Sequence, residues 1–237
     1  MRALVWHGEG DIRLDTVDDP TILDPNDAIV RITRSAICGT DLHFIRGTMS
    51  GMKEGTILGH EAVGEVTAVG AAVRRFAPGD RVVVSSTMSC GVCWQCRAGH
   101  TAQCDTANPN GPQAGTCFFG GPQTTGPVNG LQAEYARIPY ASNTLTALPD
   151  TVSDEQAILL SDIFPTAWFG RNSPGSSAVT PSPCTERASS GSSPSRPPSA
   201  REPRAYSRST ASRPASCRHS ARTPTSSTST ARTRCRH

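Results

Sequence analysis

Four thiols, Cys90, Cys93, Cys96 and Cys104, fall within fifteen residues in the pattern C-x2-C-x2-C-x7-C. Tetrahedral zinc takes four soft donors about 2.3 Å from the metal, and a tight four-cysteine loop supplies them. Two disulfides are the competing use, but C-x2-C pairs bridge badly because a tight turn holds the Cα atoms poorly for S–S geometry. Met1-Arg2-Ala3-Leu4-Val5 runs straight into a strand-like segment, so no secretory signal is expected. Nine cysteines then suit a reducing cytoplasm. The spacing predicts a structural zinc lobe over about residues 88–106. A closed set of four thiolates staples a loop and does no chemistry, so reactive groups must be sought elsewhere.

They lie on either side of the lobe. Ile37-Cys38-Gly39-Thr40-Asp41-Leu42-His43 brings together a thiol, a hydroxyl and an imidazole, and Gly59-His60-Glu61 sets an imidazole beside a carboxylate. Much further on, Leu160-Ser161-Asp162-Ile163-Phe164-Pro165-Thr166 places a carboxylate in an apolar stretch. Singly, each has an ordinary structural use: a buried thiol, a hydrogen-bonded histidine, a helix cap. Together, Cys38, His60 and Asp162 offer one sulfur, one nitrogen and one oxygen and leave a fourth position open, the arrangement of catalytic zinc. Two anionic ligands roughly cancel the metal charge, yet zinc still lowers the pKa of a bound water or alcohol toward neutrality.

The chain resembles the zinc-dependent medium-chain alcohol dehydrogenases. The matching segments are C-G-T-D-L-H (38–43), G-H-E-A-V-G-E-V (59–66), F-A-P-G-D-R-V-V-V (76–84), the four-cysteine lobe and G-L-Q-A-E-Y-A-R-I-P (130–139), within a match over about residues 1–170. L-L-S-D-I-F-P-T (159–166) is similar to the formaldehyde-dehydrogenase-like branch, in which Asp replaces the cysteine ligand of other alcohol dehydrogenases. The resemblance implies that Cys38, His60 and Asp162 hold catalytic zinc and that Cys90, Cys93, Cys96 and Cys104 hold structural zinc. It implies that Thr40 takes the substrate alcohol's proton and that His43 relays it toward solvent. Glu61 would be an outer or transient zinc ligand, and Thr166 would touch the nicotinamide of NAD. The substrate would be a small alcohol or aldehyde. Relatives assemble largely through the cofactor domain, so the resemblance leaves homo-oligomer formation open.

The elements that must position these groups are mostly strands. Arg2–Trp6 and Ile12–Val17 read as a hairpin around Gly8 to Gly10. Ile29–Ile32, Ala62–Val69 and Arg81–Ser85 are β-branched runs between Gly and Pro punctuation, and Gly39, Gly59, Gly64 and Gly70 suit the bends of a barrel. Ser153-Asp154-Glu155-Gln156 is a capping box opening a helix through about Leu160. Residues 107–129 are rich in Gly, Pro, Asn and Thr, with Phe118 and Phe119 as the large apolar residues, and read equally as a functional loop or a solvated one. No stretch is long and apolar enough to span a membrane. The expected fold is mainly β: a GroES-like, barrel-type domain over 1–150 with the zinc lobe, then a linker helix over 151–170.

Composition changes at Gly170. Residues 171–237 hold 12 Arg and 2 Glu, a charge of +10, so the first 170 carry −7 of the chain's net +3. Ser, Arg, Thr and Pro make up 47 of these 67 residues, and Leu, Ile, Met, Phe and Trp are absent. Such a segment buries too little apolar surface to offset chain entropy and is expected to be disordered. The resemblance implies instead an α/β Rossmann domain opening on G-x-G-x-x-G, and no such turn is present. Reading across codons recovers one. Shifted by one base, Val179 through Ser195 permits G-D-T-V-A-V-[HY]-G-A-G-x-V-G-L-L-A-V, and Pro203 through Thr210 permits A-A-R-V-L-A-V-D. The acid falls about twenty positions past the last glycine, where ribose hydroxyls are held. The hypothesis is a frameshift near codons 170–171 that leaves a truncated, inactive oxidoreductase with Asp162 at the edge of what remains. Resequenced DNA without such a frame would remove it. Cys117, Cys184, Cys217 and Cys235 fit neither zinc set.

Two other readings use the same residues. In the first, the zinc-stapled domain carries a basic tail that binds nucleic acid through phosphate contacts, although one Tyr in the tail offers little stacking. In the second, the domain associates with full-length homologues.

Overall fold

The computed structural model describes residues 1–172. The expected disordered tail, its displaced reading frame, and Cys184, Cys217 and Cys235 lie outside them.

The hairpin forms as expected: β1 (Arg2–Gly8) pairs antiparallel with β2 (Asp11–Thr16), Leu4 opposite Leu14, with a bulge between Trp6 and Gly8. Next come β3 (Ala28–Ser35), α1 (Gly39–Ile45), β4 (Thr56–Ile57), β5 (Ala62–Val69) and β6 (Arg81–Val84). The lobe contributes α2 (Trp94–Arg97) and a 3-10 turn at Thr101–Gln103. A second 3-10 turn at Gln123–Thr125 precedes β7 (Tyr135–Ile138), α3 (Ala141–Thr144) and β8 (Leu145–Ala147). α4 (Asp154–Ala157), a 3-10 turn at Ile158–Leu160 and α5 (Ile163–Asn172) close the described chain. The strands form a three-stranded sheet, β2-β1-β4, and a five-stranded sheet, β7-β3-β5-β6-β8, and every pairing within them is antiparallel.

The alternation of side chains along β5 and β6 decides what packs where. Val66, Val82 and Val84 face the main core, which also buries Val30, Phe119, Leu131, Ile138 and Leu145. Val63 and Val83 point the other way, onto Leu148 and Ala157. Both faces of these strands are therefore apolar, and each side chain so buried contributes about 1.5–3 kcal/mol. The second face is what docks α4. Its capping box is the predicted one: Gln156 N–H donates to Ser153 Oγ at 3.3 Å and Ser153 N–H to Gln156 Oε1 at 3.1 Å. Asp154 fastens the same turn to the sheet through Thr33 Oγ1 and an Arg81 guanidinium, each at 2.5 Å.

Several expectations need correction. β3 runs three residues past Ile32, because a bulge between Ile32 and Arg34 keeps the ladder paired to Ser35. α5 continues over Arg171 and Asn172, past the boundary read at Gly170. Of the four glycines expected at bends, Gly59 alone has a left-handed φ, +91°. Gly39 opens α1. Gly64 and Gly70 are needed for close approach instead: a Cβ on Gly64 would stand 2.3 Å from Arg31 O and 2.6 Å from Val30 Cγ1, and one on Gly70 would stand 2.4 Å from Pro25 O. Backbone cannot yield as a side-chain tip does. Gly64→Ala is therefore expected to destabilise the domain by about 1–3 kcal/mol or more, read from the urea midpoint. An unchanged midpoint would mean that β3 and β5 lie further apart than the ladder indicates.

Candidate functional site

In the lobe, Cys93 precedes the first turn of α2, Cys96 lies within that helix, and Cys104 follows the 3-10 turn. The short helix brings Cys93 and Cys96 to one side, and the turn returns Cys104 to them. One ligand atom from each of Cys90, Cys93, Cys96 and Cys104 lies within 4.8 Å of the others. Backbone amides already address the sulfurs: Cys90 N–H donates to Cys104 Sγ, and Cys93 N–H to Cys90 Sγ, both at 3.3 Å. Burial raises the Cys90 thiol, but the N–H groups of Val92 and Cys93 and the Thr106 side chain outweigh it and bring it down to about 6. Burial and then Cys93 push Cys96 up to about 12. Four thiols this close cannot all ionise without a cation among them. None of the four is in a disulfide.

The second cluster draws on three parts of the fold. Cys38 caps α1 and Asp162 precedes α5, while His60 and Glu61 follow the left-handed turn at Gly59 and lead into β5. One ligand atom from each of Cys38, His60, Glu61 and Asp162 lies within 4.8 Å of the others. His60 Nε2 faces Asp162 Oδ2 at 3.6 Å, and its Nδ1 faces Asp41 Oδ1 at 3.4 Å. Thr40 Oγ1 is 3.8 Å from Cys38 Sγ. His43 lies one turn along α1 at the surface, with Nδ1 hydrogen-bonded to Thr48 Oγ1 at 2.7 Å. Thr166 donates through Oγ1 to Asp162 Oδ1 at 3.0 Å, so its hydroxyl is engaged with the carboxylate. Asp162 is tied into the described domain rather than fraying from its edge.

The electrostatics are those of a site built around a cation. Burial pushes the His60 imidazole down, but Asp162, Asp41 and Cys38 outweigh it and hold it up to about 12. The same contact with His60 lowers the Cys38 thiol and, against burial, the Asp162 carboxyl. Burial raises the Glu61 carboxyl, with Asp162 and Asp41 adding to it and His60 opposing. Without metal, the imidazolium is thus the site's cation. Because its folded value lies above 6.5, this charge stabilises the metal-free fold fully below pH 6.5, and the contribution is lost as pH rises toward 12. A metal ion needs the neutral imidazole. Metal uptake at the Cys38 site at pH 7, titrated after the four-cysteine lobe is filled, is therefore expected to release more protons than the Cys38 thiol alone can supply, read from how the calorimetric heat scales with the buffer's ionisation enthalpy. Release of one proton or fewer would contradict this.

Both donor sets fit zinc. Thiolates alone suit a closed site, and one sulfur, one nitrogen and carboxylate oxygen suit an open one. The buried Asp41 Oδ1 and His60 Nδ1, 3.4 Å apart and without a hydrogen-bond partner, support the second fit. They face each other as carboxylate and imidazole do behind a metal-bound histidine.

The structure also adds residues that sequence reading did not single out. Asp41, 1% exposed, accepts the Cys38 N–H through Oδ2 at 2.9 Å while facing His60 with Oδ1, so one carboxylate addresses two donors. The sequence signal was C-G-T-D itself, a capping box with Cys at the cap. Ser86 donates to Asp162 Oδ1 at 3.0 Å. The 107–129 loop is not simply solvated: Phe119 and Cys117 are buried, and the Phe118 ring meets His60 edge-on at 6.1 Å and stacks on Phe44 at 6.1 Å. Burial, with Cys104 adding to it, pushes the Cys117 thiol up to about 11, which leaves it an inert core group.

Fold and site together define a mainly β domain with two donor clusters suited to metal. A model of the alcohol dehydrogenase GroES-like domain matches residues 24–150, and the chain belongs to that family. It is 35% identical over 177 residues to the zinc-type alcohol dehydrogenase-like protein AdhB of Bacillus subtilis, covering 74% of this chain and 46% of that one. It is 36% identical over 179 residues to the glutathione-independent formaldehyde dehydrogenase of Pseudomonas aeruginosa, covering 71% of this chain and 44% of that one. Among solved structures, alcohol dehydrogenase TADH from Thermus sp. ATN1 superposes with a TM-score of 0.65 at 35% identity, over 72% of this chain and 46% of that one. The chain spans about half the length of the curated relatives it matches. Among the described residues, no helix is long and apolar enough to cross a membrane.

Proposed function

We propose that this chain is the metal-binding half of a zinc- and NAD-dependent oxidoreductase acting on a small alcohol or an aldehyde adduct, and that it does not itself transfer hydride. The observation that carries the first part is the convergence of Cys38, His60, Glu61 and Asp162 within 4.8 Å in a domain of this family. Support for the second part is the sequence of residues 171–237, which offers no G-x-G-x-x-G turn for the pyrophosphate.

Cys38, His60 and Asp162 hold the catalytic zinc, and Cys90, Cys93, Cys96 and Cys104 hold the structural zinc. When bound, the catalytic ion supplies Lewis acidity that makes an alcohol a stronger acid. The rest belongs to the chain's own residues. Thr40, beside Cys38, accepts the alcohol proton at Oγ1 and passes on its own. His43, three residues on along α1, takes the proton toward solvent. Buried Glu61, whose carboxyl is raised by burial, serves as an alternate oxygen donor. Phe118 keeps bulk water from the His60 side. In an intact enzyme, Thr166 approaches the nicotinamide while its hydroxyl stays on Asp162. The six described cysteines are all free thiols, which suits the cytoplasm.

The purified, zinc-loaded chain is expected to produce no NADH from a panel of primary alcohols and hydrated aldehydes. Robust alcohol-dependent turnover would overturn the claim of inactivity. Activity restored by a single-base insertion near codon 170 would support the frameshift.

A further inference from the structure

We propose that Ser86 and Thr166 are positioning residues that hold Asp162 as a one-oxygen metal ligand. This rests on the reading of Cys38, His60 and Asp162 as a metal site and goes beyond it. Ser86 Oγ and Thr166 Oγ1 both donate to the same atom, Asp162 Oδ1, each at 3.0 Å. The other oxygen, Oδ2, is the one that faces His60 Nε2, at 3.6 Å. The carboxylate torsion of an aspartate is broad, so a free side chain presents either oxygen or both to a cation. Two O–H donors engage the lone pairs of Oδ1 and leave Oδ2 as the donor atom. A tetrahedral ion taking one atom each from Cys38 and His60 wants one oxygen, not a chelating pair.

The two hydroxyls come from different elements, which fixes the carboxylate rather than merely satisfying it. Thr166 lies on α5, one turn past Asp162. Ser86 lies just beyond β6 and is only 8% exposed. Its N–H donates to Ser161 O at 3.2 Å. Ser161, 3% exposed, accepts the Ala62 N–H at Oγ (3.1 Å) and donates to Val84 O. The segment carrying Asp162 is thereby registered against β6 and against the start of β5, two residues from His60. The oxygen ligand reaches its place through contacts wholly among the described residues.

Cobalt(II) added to the metal-free full chain is the probe. Four thiolates give an intense sulfur-to-metal charge-transfer band, while one thiolate with nitrogen and oxygen gives a weaker one, so the lobe reports separately from the Cys38 site. The double variant Ser86→Ala, Thr166→Val is expected to bind cobalt at the Cys38 site about tenfold to a hundredfold more weakly. Its d–d band should shift while the four-thiolate band is unchanged. Thr166→Ser, which keeps the hydroxyl, should retain the parent's affinity and band. If Ser86→Ala unfolds the domain, Thr166→Val alone carries the test from the exposed face of α5, with the same shift and a several-fold loss expected. A parent band that these variants leave untouched overturns this inference alone. No Cys38-dependent band in the parent overturns the metal reading and this inference with it.

Discussion

Cys104→Ser is expected to strip the lobe of its metal and to lower the melting temperature of the zinc-loaded chain steeply. Cys104 is the ligand furthest from the others in sequence, so it is the one that closes the loop. It is 4% exposed, it accepts the Cys90 N–H at 3.3 Å, and it belongs to the main core with Cys117 and Phe119. Cys90, Cys93 and Cys96 pack against that same core, so the lobe and the five-stranded sheet share one hydrophobic cluster. Structural zinc contributes about 10–16 kcal/mol of apparent binding energy in small zinc domains, and that energy is folding energy when the site does not exist in the unfolded chain. A serine hydroxyl does not replace a thiolate at a four-sulfur site. Metal analysis and a thermal melt on the purified variant check this. Full metal content with an unchanged melting temperature would mean that the lobe is held by packing alone.

Asp41→Asn is expected to weaken metal at the Cys38 site by about tenfold to a hundredfold while leaving the fold intact. The substitution keeps the volume and keeps an acceptor for the Cys38 N–H, which Asp41 Oδ2 takes at 2.9 Å. It changes what faces His60. With the amide oxygen on Cys38, the amide nitrogen points at His60 Nδ1, where Asp41 Oδ1 now stands 3.4 Å away. An N–H donor there makes Nδ1 the acceptor and moves the imidazole proton to Nε2, the nitrogen that faces Asp162 and must be free for a metal. The wrong tautomer is thus favoured at the moment of binding. A competitive titration against a chromophoric chelator reads the affinity, and the four-cysteine lobe is the internal control. Parent affinity in Asp41→Asn would show that Asp41 serves only as the cap of α1.

What could be read in advance follows from sequence distance. The lobe was legible because its four thiols lie within fifteen residues and the geometry of one turn nearly determines the site. The hairpin, β5, β6 and the capping box at Ser153 were legible because alternation and capping are local. The second cluster was harder. Cys38, His60 and Asp162 were nameable as donor types, but what orients them is not local: Ser86 reaches Asp162 across 76 positions and Ser161 reaches Ala62 across 99. Serines of this kind look like any other serine in one dimension. Gly39 and Gly64 misled for a physical reason. Glycine marks either a backbone conformation or a space without a Cβ, and its presence alone does not say which. Phe118 could be singled out as a large apolar residue in a polar loop, yet only the fold puts its ring against His60.

Native mass spectrometry of the zinc-loaded chain tests most directly whether residues 1–172 hold two complete donor sets. Two zinc ions per chain are expected, matching the two clusters. One should be lost in Cys38→Ser and the other in Cys104→Ser. A single zinc that persists in Cys38→Ser and vanishes in Cys104→Ser would contradict the second site, leaving a stapled domain without a catalytic metal.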